Sequence, residues 1–457
     1  MKFSSVSKIT AALIVACTLT ACGGADDGDD GAQGIAGTNG VQGEKGINGV
    51  SSFVTRDDVL KTNANIAYAA YSDSLISAIS LRDSINIFVS SPTQMNLDAA
   101  KQSWLASREP YGQTEVYRFR GGPIDTNADG SEGGVEGAVN AWPLGEAVID
   151  YVAGEVDGDD GTATLVGTNI INGTESIDQA LLESLFEKNG DADVTTGYHA
   201  IEFLLWGQDL NADLTGAGIR DNTPGQRPVT DYALSADCTS GLGNVTTPNT
   251  CVRRGQYLQV VADVLIKDLT SVVEAWEPQA GTHYKTFIAG GSTSLGRILE
   301  GMGRLSYGEL GSERINIALI NNSQEDEHSC FSDNTHRDIF LNAKGVQNTF
   351  NASYTRINGE VVDGASIHDL LVAEGHHELA NQLRGSLEST MAAATVIDTK
   401  AKSGIPFDVL TASDIEQPNV VAVIAGLVAQ TDDIELVRDA LGVTTGDLRQ
   451  DGSTDIE

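Results

Sequence analysis

Cysteine, aromatic residues and basic charge are all scarce in this chain of 457 residues. It has 5 Cys, 6 % aromatic residues, and 28 Lys+Arg against 64 Asp+Glu, a formal net charge of −36. Five cysteines over this length exclude a disulfide-built scaffold. The shortage of Lys and Arg excludes a nucleic-acid binder, because phosphate neutralisation needs a basic surface. Apolar runs approaching about 20 residues occur at most once, at the extreme N-terminus, which excludes a multi-span membrane protein. Glycine is abundant, at 50 residues. The length accommodates two domains, at about 100–200 residues each.

The N-terminus reads as an address. Lys2 and Lys8 precede an apolar stretch over residues 9–19, too short for a comfortable membrane span. It ends in Leu19-Thr20-Ala21-Cys22, followed by two glycines. Small residues directly before a Cys resemble a bacterial lipobox, with residues 1–21 removed and Cys22 lipidated. Gly23, rather than Asp, resembles the sorting signal for the outer membrane. Anchorage would then be by acyl chains. Residues 22–56 read as a tether. Gly28, Gly31, Gly34, Gly37, Gly40, Gly43, Gly46 and Gly49 recur at every third place. A triple helix uses that period, but the run is short and contains no proline, so it reads as a flexible polar spacer.

Beyond residue 56 the apolar period becomes helical. In residues 255–276, Leu258, Val261, Leu265, Leu269, Val272 and Trp276 form one stripe. Residues 57–90 and 366–397 read similarly, and Ser366 with Asp369 has the pattern of a capping box. Alternating runs bounded by hairpin turns are scarce. The expectation is an all-α protein of two helical bundles, spanning residues 57–250 and 251–457. Residues 121–137 and 207–251 are long loops, rich in Gly, Pro, Asn and Asp. Cys238 and Cys251 lie in or at the edge of the second loop, and in an exported protein they are expected to close it as a disulfide. Cys330 is left unpaired.

Three clusters carry candidate chemistry. Asp125, Asn127, Asp129 and Glu136, with Gly130 at the turn, match the ligand spacing of a calcium loop. The preceding Gly121-Gly122-Pro123 cannot end an entering helix, so a calcium loop without flanking helices competes with an acidic solvated loop. The second cluster is Gly197-Tyr198-His199-Ala200-Ile201-Glu202, inside an apolar helix. His199 and Glu202 share a face, and burying them requires a metal or mutual satisfaction. The third runs over residues 323–338, where Glu325 and His328 stand three apart if helical. Opposed His/carboxylate pairs are how bundles hold iron, and imidazole with carboxylate suits iron, zinc or manganese. Zinc-protease signatures are absent.

These residues resemble the imelysin-like family, also called the insulin-cleaving membrane protease family, which includes bacterial iron-regulated lipoproteins. The family's GxHxxE motif is Gly197-x-His199-x-x-Glu202 here, continued by Phe203-Leu204-Leu205-Trp206-Gly207-Gln208-Asp209. Segments 108–119, 122–125, 140–144 and 324–335 resemble further family blocks. The resemblance covers residues 57–445. It implies a duplicated four-helix-bundle arrangement with a site between the halves. It also implies the cell envelope, a role in iron uptake, and other envelope iron-uptake proteins as partners. Two functions follow. In the first, His199 and Glu202, with Glu325 and His328, bind iron, another divalent metal or a metal-containing ligand. In the second, His199 and Glu202 serve a metallopeptidase, with Glu202 as the base. The first is preferred, because a zinc peptidase needs three protein ligands and an open position.

Overall fold

The computed structural model describes residues 54–457, apart from 128–130, 132, 153–168, 210–219, 221, 235, 236, 239–248, 451, 453, 455 and 457. The signal segment, Cys22, most of the tether and Asp129 therefore lie outside the described residues.

The chain is helical. The first helix, α1 (Arg56–Ser90), starts at a capping box in which Thr55 and Asp58 satisfy each other's backbone N–H groups. Thr93 caps α2 (Gln94–Gly112), which ends two residues after Pro110. After several short helical turns come α3 (Gly197–Trp206), α4 (Thr250–Trp276), α5 (Thr282–Ala289) and α6 (Ser292–Arg304). The predicted stripe of α4, from Leu258 to Trp276, is buried throughout. Downstream, α6 runs without interruption into a π-helical stretch, Leu305–Asn316, and a last α-turn, Ile317–Asn321. The later helices are α7 (Thr335–Asn351), α8 (His377–Lys402) and α9 (Gln417–Leu441). A small antiparallel hairpin pairs β1 (Ser353–Thr355) with β2 (Val361–Asp363). No helix among the described residues is long and apolar enough to cross a membrane.

The expected single helix over 366–397 is two. Ser366 does form the capping box with Asp369, but that helix stops at Ala373 and α8 begins at His377. Between them Gly375 sits at φ +93°, a left-handed conformation that ends a helical ladder. Cys238 and Cys251 form a disulfide, which ties the second loop to the first turn of α4. Cys330 is unpaired and buried.

Two large apolar cores among the described residues organise these elements. The first collects the N-terminal half of α1, the end of α4, α6, the π-helical stretch, α7, α8 and α9. The second collects the C-terminal half of α1, α2, α3 and most of α4, with Phe331. Helix α1 thus runs through both. The residues that preceded α7 in the sequence cluster, 323–334, form a run of turns and deliver side chains to α3.

Candidate functional site

Helix α3 is buried at every position. Its first residue, Gly197, has φ +88°, and a Cβ there would stand 2.6 Å from the Val139 carbonyl oxygen. The glycine of the GxHxxE motif is therefore fixed by close backbone approach. One turn later, His199 Nδ1 and Glu202 Oε2 are 2.9 Å apart. Glu202 Oε1 accepts the Ser332 backbone N–H at 3.0 Å and its hydroxyl at 2.6 Å. Burial lowers the His199 imidazole well below its ordinary value, reinforced by His328. Burial pushes the Glu202 carboxyl up to about 8, against the pull of Ser332. Both groups are thus neutral at neutral pH, and the Glu202 proton can serve His199 Nδ1. The Nε2 atom of His199 is buried with no hydrogen-bond partner.

His328 completes the centre from the turn segment. Its ring centroid lies 4.6 Å from that of His199, at 81°. The carboxylate that takes His328 Nδ1 is not Glu325 but Asp338, on α7, at 2.8 Å. The segment is not helical, so the three-residue spacing of Glu325 and His328 places no shared face; Glu325 is half-buried. Burial brings His328 down to about 4, with Arg314 adding to it. Burial alone would raise Asp338, but Arg108 and His328 outweigh it and hold the carboxylate ionised. A neutral imidazole beside an ionised carboxylate donates its Nδ1–H and keeps a lone pair on Nε2.

Behind this pair runs a chain of buried and half-buried charges. Asp338 also accepts Arg108 Nη2 at 2.9 Å and the Ser329 hydroxyl at 2.5 Å. Arg108 Nη1 donates to Asn140 Oδ1, whose amide donates to Glu115 at 3.1 Å. Glu115 accepts Arg314 at 2.9 Å and Arg118 at 3.2 Å. Glu309 takes the same two guanidinium groups, at 2.7 Å and 2.8 Å. Glu309 and Arg314 are five residues apart. In an α-helix, at about 3.6 residues per turn, that spacing points them to different faces. The wider π-winding brings them together.

A cavity of about 590 Å³ opens beside the chain, lined in part by His328, Trp142, Asn140, Arg118, Glu136 and Arg314. The Trp142 ring stands 5.8 Å from His328. Glu136, from the proposed calcium loop, pairs here with Arg118 at 3.2 Å. Asp125 lines a different cavity and accepts the Arg120 backbone N–H at 3.3 Å. The Asn127 amide donates to Ser131. The loop closes through backbone bonds, Asn127 N–H to Ser131 and Gly134 N–H to Asp125. Among the described residues, no three His, Cys, Asp or Glu side chains are grouped to hold an ion.

Sequence reading reached His199, Glu202 and His328, which the structure brings together. It missed Arg108, Asn140, Ser332 and Asp338 as their partners. Asp338 and Arg108 meet across 230 residues of chain, and nothing local marks such a pairing.

An all-α protein with two apolar cores and a buried histidine–carboxylate centre is the class these observations define. The profile of the imelysin family matches residues 67–434, and the chain belongs to that family. Iron-regulated protein A of Synechococcus elongatus is 34 % identical over 67 residues, which is 15 % of this chain and 17 % of that protein. That match spans less than a fifth of the relative's length. The crystal structure of a candidate iron-regulated protein A precursor from Parabacteroides distasonis aligns with a TM-score of 0.58 at 14 % identity. It covers 85 % of this chain and 96 % of that one, a likeness of fold.

Proposed function

We propose that this chain is an iron-binding lipoprotein of the cell envelope, anchored through Cys22 and serving iron uptake. The observation that carries this reading is the pairing of His199 and His328. Two neutral imidazoles from separate segments lie 4.6 Å apart, each tied through Nδ1 to a buried carboxyl group. Carboxylate–imidazole pairing of this kind orients metal-binding histidines; at His199 it requires Glu202 to give up its proton as the metal arrives, so that Nδ1–H donates to the carboxylate and Nε2 keeps its lone pair. Imidazole and carboxylate donors suit iron. The relatives named as iron-regulated point to the same metal.

With two imidazoles and no third donor grouped with them among the described residues, the rest of the coordination comes from what arrives with the metal. The cavity beside His328 accommodates such a ligand: iron as a hydrated ion or a small chelate. The same donor set favours binding over zinc hydrolysis, which needs three protein ligands and an open position.

The test is iron titration of the full chain, with ferrous iron and with ferric citrate, followed by elemental analysis. Wild type should retain iron, and His199→Ala or His328→Ala should lose at least about tenfold in affinity. Equal binding by all three proteins would remove the site from these residues. Chelator-sensitive cleavage of unfolded protein that disappears in Glu202→Gln would transfer the site to the peptidase reading.

A further inference from the structure

Five arginines are buried among the described residues: Arg108, Arg120, Arg227, Arg254 and Arg314. Four of them face a carboxylate. Arg108 meets Asp338 at 2.9 Å, Arg227 and Arg254 meet Asp150 at 2.7 Å and 2.6 Å, and Arg314 meets Glu309 at 2.7 Å. Arg120 does not. Its Nη1 donates to Asn63 at 3.0 Å, while Nε and Nη2 have no partner. An unpaired buried charge is costly, and in a protein carrying −36 a carboxylate is the expected neighbour.

Arg120 lines a cavity of about 340 Å³ that abuts a second one of about 520 Å³. The two share Gly121, Thr126 and Arg297. Arg297, on α6 and half-buried, makes no hydrogen bond or ion pair with any described residue. Its guanidinium lies over Gly121, where a Cβ would stand 3.7 Å from Cζ. His283, at the start of α5, lies over Gly122 in the same way, 3.8 Å from Nε2, with its ring 4.4 Å from that of Trp276. The first turn of α5 has no side-chain cap, and Thr282, His283 and Thr286 line the larger cavity. The positive end of a helix favours anions.

Two carboxyl groups also line the smaller cavity. Glu300 is paired with Arg304 at 3.6 Å. Burial pushes Asp125 up to about 6, although Arg118 opposes it. Neither meets Arg120 or Arg297 in an ion pair.

We infer that this double cleft, between residues 119–126 and helices α5 and α6, binds a small multivalent oxyanion on Arg297, with the uncompensated charge of the buried Arg120 behind it. The Arg297 guanidinium, the positive charge of Arg120 and the α5 terminus match an anion with several oxygens, a polycarboxylate or a phosphate. Arginine recognises both through charge-assisted hydrogen bonds.

The test is calorimetric titration of the full chain with citrate and, separately, with inorganic phosphate, at constant ionic strength. Wild type should bind at least one of them, and Arg297→Gln should bind roughly tenfold more weakly, the loss of one charge-assisted bond. Thr286→Glu, at an exposed position, should abolish binding by placing a negative charge in the cleft. His199→Ala should bind as wild type, which separates this cleft from the iron site. Citrate alone identifies a polycarboxylate site, phosphate alone a phosphate site, and both the shared oxyanion chemistry. Failure of wild type to bind either anion overturns the proposal. So does unchanged binding in Arg297→Gln and Thr286→Glu, or loss of binding in His199→Ala.

Discussion

Arg108 and Arg120 lie twelve residues apart, and both are buried, yet they end in opposite surroundings. Arg108 joins a chain of paired charges that runs from Asp338 to Glu309 and holds His328 in place. Among the described residues Arg120 reaches only an amide and a tyrosine ring at 4.7 Å, at the back of a cleft. A paired buried charge orders its neighbours; an unpaired one is a place for something that carries the missing charge. Burial brings the Arg120 guanidinium down to about 10, against the pull of Tyr117, Tyr71 and Asp125.

The largest test of this contrast is acid. Burial alone would raise Asp150, but Arg254 and Arg227 outweigh it and hold the carboxyl below the usual range. In Glu309, Arg118 and Arg314 likewise outweigh burial. Such groups contribute stability that is complete above their unfolded value near about 4 and is lost as pH falls through the folded values. Glu136 has the opposite sign, since burial pushes it up to about 7 despite Arg118. Its contribution falls as pH rises from about 4.5 through that value. Thermal melting across pH should therefore peak on the acid side of neutrality and collapse at lower pH. A flat profile would show that the pairs are energetically silent.

The next effect in size is Arg108→Ala, which strands Asp338 and should cost about 3–5 kcal/mol in urea unfolding. A cost under about 1 kcal/mol would mean that the charge chain does not order the centre. Glu202→Ala leaves His199 Nδ1 and both Ser332 donors without a partner and should cost about 1–3 kcal/mol. Glu202→Gln reproduces a protonated carboxyl, accepting from Ser332 and donating to His199, and should cost under about 1 kcal/mol. Equal losses in the two variants would contradict a neutral Glu202. The smallest effect belongs to the unpaired side. Arg297→Gln should change stability by no more than about 0.5 kcal/mol, as for a surface substitution without partners.

Much of this architecture is legible in the chain itself. The stripe from Leu258 to Trp276 identifies α4 because a three-and-four period has no other use in a folded protein. His199 and Glu202 stand out because polar residues within Gly197–Trp206 must be satisfied inside a core. The pairing of His328 with Asp338 was hidden by the turns over residues 323–334, which cancel helical spacing. Arg120 gave no signal: its distinction is a partner it lacks in space, and adjacency in sequence says nothing about that.

The π-helical stretch over Leu305–Asn316 makes chain length itself a variable. Each residue added to or removed from a helix turns everything beyond it by about 100°. Removing one residue between Glu309 and Arg314 would favour an ordinary α-ladder there, with the backbone still bonded. Glu309 and Arg314 would then be four apart, on one face of a narrower helix, while the residues beyond would arrive rotated. The buried pair could survive a deletion that misaligns the approach to His328. Length changes here would thus alter the site's alignment without touching its chemistry, an inheritance route that substitutions do not offer.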